Sequence, residues 1–129
     1  MAYSTATPAE QLGRIEQALA EGGDRPAGSV DWRLHEAVRG PFQYAVTEVH
    51  ELLLDRLADR PDVKRTSRLG WLIRRAVEEG LISDSDAATL QDALQSRNTV
   101  AHVFPPDTIN QMIPAVQRFL PVAWCLTSI

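Results

Sequence analysis

The stretch Phe42-Gln43-Tyr44-Ala45-Val46-Thr47-Glu48-Val49-His50-Glu51-Leu52-Leu53-Leu54-Asp55-Arg56-Leu57 decides the fold class. Phe42, Ala45, Val46, Val49, Leu52, Leu53 and Leu57 recur at helical spacing for about four turns. Such a stripe must bury its apolar face against other elements, and Arg60-Pro61-Asp62 closes it. Upstream, Gly40-Pro41 breaks or kinks the chain. Ser29 to Arg39 therefore reads as a separate short helix anchored by Trp32 and Leu34.

Working outward toward the N-terminus, Thr7-Pro8-Ala9-Glu10 opens a helix with an N-cap, a proline at N1 and a glutamate at N3. Leu12, Ile15 and Leu19 form its stripe, and Gly22-Gly23 stop it. Residues 1–28 read as a peripheral helix and loop laid against a core formed by 29–129.

Toward the C-terminus, Arg60, Lys64, Arg65, Arg68, Arg74 and Arg75 make residues 60–75 basic, opposed only by Asp62. Thr66 or Ser67 can cap a helix carrying Leu69, Leu72, Ile73, Ala76 and Val77. Gly80 is placed as its C′ residue, with Leu81 and Ile82 returning to the core. The next helix starts near Ser83, with Asp86 at the capping-box spacing, and carries Leu90, Ala93, Leu94 and Ala101. It should end near Phe104, which precedes Pro105-Pro106. Asp107 can cap a last helix with Ile109, Met112, Ile113, Val116, Phe119 and Leu120, kinked at Pro114 and Pro121. The tail Val122-Ala123-Trp124-Cys125-Leu126 is apolar enough to pack in the core or an interface. No stretch alternates apolar and polar residues, so the expected fold is all-α: four or five helices in an antiparallel bundle.

Composition narrows the function classes. The chain has 129 residues, 44% of them apolar, enough for one folded domain with a real core. One cysteine excludes an internal disulfide and suits a reducing cytoplasm. No basic and apolar leader opens the chain, and no apolar run reaches the ~20 residues of a membrane span. A net charge of −4 argues against nucleic-acid binding by the whole surface but leaves room for a local basic patch. Neither metal-ligand spacing nor a Gly-rich phosphate loop is present, so no metal or cofactor is expected.

Chemistry concentrates in Arg97-Asn98-Thr99-Val100-Ala101-His102. Arg97 lies within roughly 20° of Leu90 around the helix, in the middle of its apolar stripe. A guanidinium there must meet an anion or a carboxylate partner. One reading is a structural arginine paired with Glu48 or Asp55; the other is a functional one. Arginine and histidine together suit metal-free RNA cleavage. Histidine exchanges protons near neutral pH, and the guanidinium fork binds the phosphate and its developing charge. Asn98 can orient either group. A single helix offers one such pair, its members about 140° apart, so a symmetric dimer would supply two. The basic run is either a solvated helix face or a phosphate-guiding rim. His35 and His50 read as surface or core residues, and Trp32, Trp71 and Trp124 as core or interface residues.

Arg97-Asn98-x-x-x-His102 resembles the R-x4–6-H signature of the HEPN superfamily, small all-α domains of prokaryotic toxins and RNA-based defence systems. The likeness covers roughly residues 42–120. It includes the order Leu69-Gly70-Trp71-Leu72, then Glu79-Gly80-Leu81-Ile82, then a capped helix running into the motif. That order is similar to HEPN toxins paired with minimal nucleotidyltransferases, and to nucleotidyltransferase substrate-binding relatives. The resemblance implies a cytoplasmic, metal-independent, homodimeric endoribonuclease, the toxin of a toxin–antitoxin system or a phage-defence effector. Arg97, His102 and Asn98 would be its catalytic residues, and Lys64, Arg65, Arg68, Arg74 and Arg75 would bind RNA. The implied partners are RNA, a second copy and an antitoxin, of nucleotidyltransferase type or another. In toxins paired with nucleotidyltransferases the motif often continues as H-x-Y, whose tyrosine can receive AMP. Here His102-Val103-Phe104 offers no hydroxyl at that place. The alternative is a non-catalytic HEPN-like module that binds a nucleotide, RNA or a protein.

Overall fold

A computed structural model describes the backbone of residues 7–22, 32–102 and 106–127, and the side chains of 7–20, 37–98 and 112–127. Its described residues form α1 (Pro8–Gly22), α2 (Trp32–Arg56), α3 (Leu69–Glu78), α4 (Asp84–His102) and α5 (Pro106–Thr127). The expected helical bundle is what the chain builds, and no strand occurs among the described residues.

Helix α2 is its spine and meets each of the other four helices. Its stripe of Val38, Phe42, Ala45, Val46, Val49 and Leu53 is buried, and Leu57 just beyond the helix continues it. Phe42 meets Phe119 of α5 edge to face, with ring centroids 5.5 Å apart, a favoured aromatic geometry. Leu12 and Ile15 are buried where α1 packs on α2 and α5. The hydroxyl of Thr7 accepts from the Glu10 N–H at 3.2 Å, the N-cap expected from the sequence.

One expectation about a helix break is corrected. Gly40-Pro41 does not interrupt α2, which runs unbroken from Trp32 to Arg56. An internal proline costs about 3 kcal/mol. Burying Val38 and Phe42 on either side of it is worth about 1.5–3 kcal/mol each, so continuity is the lower-energy choice. The last helix is continuous, as expected: α5 contains both Pro114 and Pro121. Both prolines lie on its exposed side, while Met112, Ala115, Val116, Phe119, Leu120, Val122, Ala123 and Leu126 are buried. The apolar tail is thus spent mainly on the chain's own core. Cys125 is exposed, and the Trp124 indole N–H donates to Glu16 of α1.

The joints around α3 position the site. Its C-terminus is a Schellman motif. The Leu81 N–H reaches the Ala76 carbonyl at 2.9 Å, and the Gly80 N–H reaches Val77 at 3.0 Å. Gly80 takes φ +74°, the left-handed conformation that glycine adopts without penalty. Ile82 returns to the core, but Leu81 stays exposed. The N-terminus departs from expectation. Neither Thr66 nor Ser67 caps α3; Arg68 holds the N-cap position and makes no side-chain cap bond. The Ser67 hydroxyl is turned instead to the Lys64 N–H, at 2.9 Å. Helix α4 opens as expected, with the Ser83 hydroxyl accepting from the Asp86 N–H at 3.0 Å. Gly70, at the start of α3, packs beside Gln91 and Leu94, well along α4. The two helices therefore run antiparallel, with α3's first turn opposite Gln91–Asn98.

Candidate functional site

Between α2, the first turn of α3 and the middle of α4 lies a groove of about 530 Å³. Gln91 fastens its floor by donating to the Gly70 carbonyl at 3.1 Å. His50 enters from α2, Arg68 from the loop, Trp71 and Arg74 from α3, and Arg97 and Asn98 from α4. Leu69, Gly70 and Leu94 complete the described lining, in which there is no aspartate or glutamate.

Arg97 is half-buried, as its place on the stripe of α4 requires. Its Nη2 donates to Asn98 Oδ1 at 3.3 Å. Burial, the sole cause, pulls its pKa below the usual arginine range. No carboxylate among the described residues pairs with it, so the expected alternative of an ion pair to Glu48 or Asp55 is overturned. Glu48 instead serves Tyr44, whose pKa is raised by burial and then by this carboxylate. Asp55 lines a separate cavity of about 120 Å³ with Glu51, Lys64 and Arg65. Even with its pKa lowered, an arginine stays protonated. Arg97 is therefore a half-buried cation in a groove whose other described polar side chains are two arginines, a histidine, two amides and the Trp71 indole, and which holds no described carboxylate.

The basic run of residues 60–75 divides three ways. Arg60 and Arg75 are neutralised by acids. Arg60 reaches Asp59 at 2.8 Å and Glu79 at 2.7 Å. Arg75 reaches Glu79 at 2.6 Å and Glu78 at 3.4 Å. Its Nε faces Asp62 at 3.2 Å without hydrogen-bond alignment. The hydrogen bond from Arg60, and then the charges of Arg60 and Arg75, hold the Glu79 carboxyl below its ordinary range. Arg75 is thus committed inside the fold. Lys64 and Arg65 lie beside Glu51 and Asp55, away from the groove. Only Arg68 and Arg74 of this run join Arg97. Arg74 and Trp71 also wall a neighbouring cleft of about 270 Å³ that holds Asp62, Arg75 and Glu78.

His50 is the residue that sequence reasoning passed over. Its Nε2 donates to the Ser67 carbonyl at 2.9 Å, which fixes the ring beside the groove. No spacing along the chain links position 50 to position 97, so only the packing of α2 against the loop could reveal it. Trp71, read as core or interface, is half-buried on the groove wall. The His102 backbone closes α4, but its side chain lies outside the described residues, as do those of His35 and Trp32.

Among the described residues no group of three or more His, Cys, Asp or Glu side chains could hold a metal ion. No described helix is long and apolar enough to cross a membrane. No family model, curated protein or solved structure matches the chain.

Proposed function

We propose that this chain is a metal-independent endoribonuclease of HEPN type, which holds RNA in the basic groove and cleaves it with Arg97 and His102. The supporting observation is Arg97 itself: a half-buried guanidinium without a described carboxylate, opening on a groove that also presents Arg68 and Arg74. Leaving a cation partly desolvated and unpaired is unfavourable. The arrangement becomes favourable when an anion enters, and a phosphodiester fits the planar donor fork of arginine. In this reading Arg97 binds the phosphate and the charge that develops on it. Asn98 steadies the guanidinium, and His102 exchanges a proton with the reacting ribose or leaving oxygen.

The biological setting follows the same resemblance: a cytoplasmic toxin or phage-defence effector, working as a homodimer and restrained by an antitoxin. The test is RNA cleavage in chelator by wild type, His102→Ala and Arg97→Ala at matched folding. Cleavage by wild type alone supports the reading, and intact RNA with all three rejects it. The second reading is a non-catalytic RNA- or nucleotide-binding module. It is favoured by the convergence of Arg68, Arg74 and Arg97 on one groove, an arrangement that holds a phosphate whether or not the strand is cut. It expects RNA to be retained and left uncut.

A further inference from the structure

Metal-free scission of an RNA strand needs one group to take the 2′-hydroxyl proton and another to protonate the leaving 5′-oxygen. Helix α4 carries a single histidine, which is why a second copy of the chain is the obvious source of the other group. The fold offers a nearer source. His50 stands on α2, half-buried, in the groove that holds Arg97 and Asn98. A carbonyl can only accept a hydrogen bond, so the 2.9 Å contact to Ser67 places the ring hydrogen on Nε2. In the neutral ring the lone pair is then on Nδ1. Ser67 is itself held. Its N–H reaches the Lys64 carbonyl at 2.9 Å, and its hydroxyl accepts from the Lys64 N–H at 2.9 Å. The imidazole is thereby anchored in one tautomer, and no described carboxylate in the groove competes with it for a proton. His102 lies five positions beyond Arg97 on α4, so the two histidines come from different helices of one chain.

We propose that His50 is the proton acceptor of the site, supplied by α2 of the chain whose groove holds the phosphate. The inference rests on the endoribonuclease reading. Nδ1 of His50 takes the proton of the 2′-hydroxyl, and the freed oxygen pair forms a bond to phosphorus. The bond from phosphorus to the 5′-oxygen breaks, and that oxygen receives a proton from the His102 imidazolium. The products are a 2′,3′-cyclic phosphate and a 5′-hydroxyl. Water then exchanges the proton gained by His50 and restores the one lost by His102, so protons balance and nothing is oxidised or reduced.

The experiment compares wild type with His50→Gln, His50→Ala and His102→Ala on single-stranded RNA of mixed sequence, under single-turnover conditions in chelator. Glutamine keeps an N–H for the Ser67 carbonyl but has no proton-accepting nitrogen, so folding and chemistry separate. Thermal melting reports the fold, and anisotropy with a 2′-O-methyl RNA, which has no hydroxyl to attack, reports binding. Expected for His50→Gln is a wild-type melting temperature, affinity within about threefold, and cleavage slower by about 10²–10⁴-fold. His50→Ala should be equally slow. Wild-type cleavage by His50→Gln overturns the proposal. If His102→Ala is inactive while His50→Gln cleaves normally, only the role of His50 falls. If wild type itself leaves RNA intact, the endoribonuclease reading falls with it.

Discussion

Replacing Arg97 with methionine separates a cation kept for a ligand from one kept for the fold. Position 97 continues the stripe of Leu90, Ala93 and Leu94 on α4, and methionine is a straight-chain residue that suits a helix. The guanidinium is half-buried, its pKa is lowered by burial alone, and it has no described carboxylate to leave behind. Arg97→Met therefore removes a desolvation cost and adds apolar surface to an apolar stripe. Stability should hold or rise by about 1 kcal/mol, equivalent to a melting temperature higher by roughly 3 °C for a chain of 129 residues. Had Arg97 belonged to a buried internal ion pair, the same change would cost about 3–5 kcal/mol and lower the melting temperature by more than about 10 °C. RNA affinity moves the other way. Losing a charge-assisted contact worth about 1.5–3 kcal/mol weakens binding about tenfold to a hundredfold. The slope of log affinity against log salt should become shallower by about 0.7. The assays are a thermal melt and anisotropy titrations with 2′-O-methyl RNA at several salt concentrations. A large fall in melting temperature with undiminished RNA affinity would refute the reasoning.

The groove also makes the basic run divisible by experiment: Arg68→Ala and Arg74→Ala should each weaken RNA binding several-fold and flatten its salt dependence, whereas Lys64→Ala, beside Glu51 and Asp55, should stay within about twofold. Equal losses at all three positions, measured by the same titrations, would mean that the whole basic face binds RNA. Glu79→Gln removes the carboxylate shared by Arg60 and Arg75 and should lower stability at neutral pH. Because the folded carboxyl titrates below its unfolded value, its contribution is complete above the unfolded pKa of about 4.3 and is lost as pH falls through the folded pKa. The melting temperatures of wild type and Glu79→Gln should therefore differ at pH 7 and converge on acidification below about pH 4, and a constant gap down to pH 3 would contradict the assigned network.

What the residues determined by themselves is the set of features whose energetics are local. The stripes of α1, α2 and α3 follow from periodicity, because burying apolar side chains every three or four residues requires a helix. The caps at Thr7 and Ser83 and the glycine turn at Gly80 involve bonds within five residues, so they too are legible along the chain. Arg97 stood out as a charge within an apolar pattern for the same reason.

Tertiary structure decided everything that depends on a comparison between distant residues. Whether Gly40-Pro41 ends a helix depends on what Val38 and Phe42 bury against, and packing outweighed the lost hydrogen bond. Whether a cation is free depends on which carboxylates fold beside it. Arg75 met Asp62, Glu78 and Glu79, whereas Arg68 and Arg97 met a groove without described acids, and Arg74 stands between that groove and the cleft holding Asp62 and Glu78. His50 entered the site only because α2 carries it against the Ser67 carbonyl, seventeen positions away. Charge pairing and proton chemistry act through space over a few ångströms, and sequence separation carries almost no information about those distances.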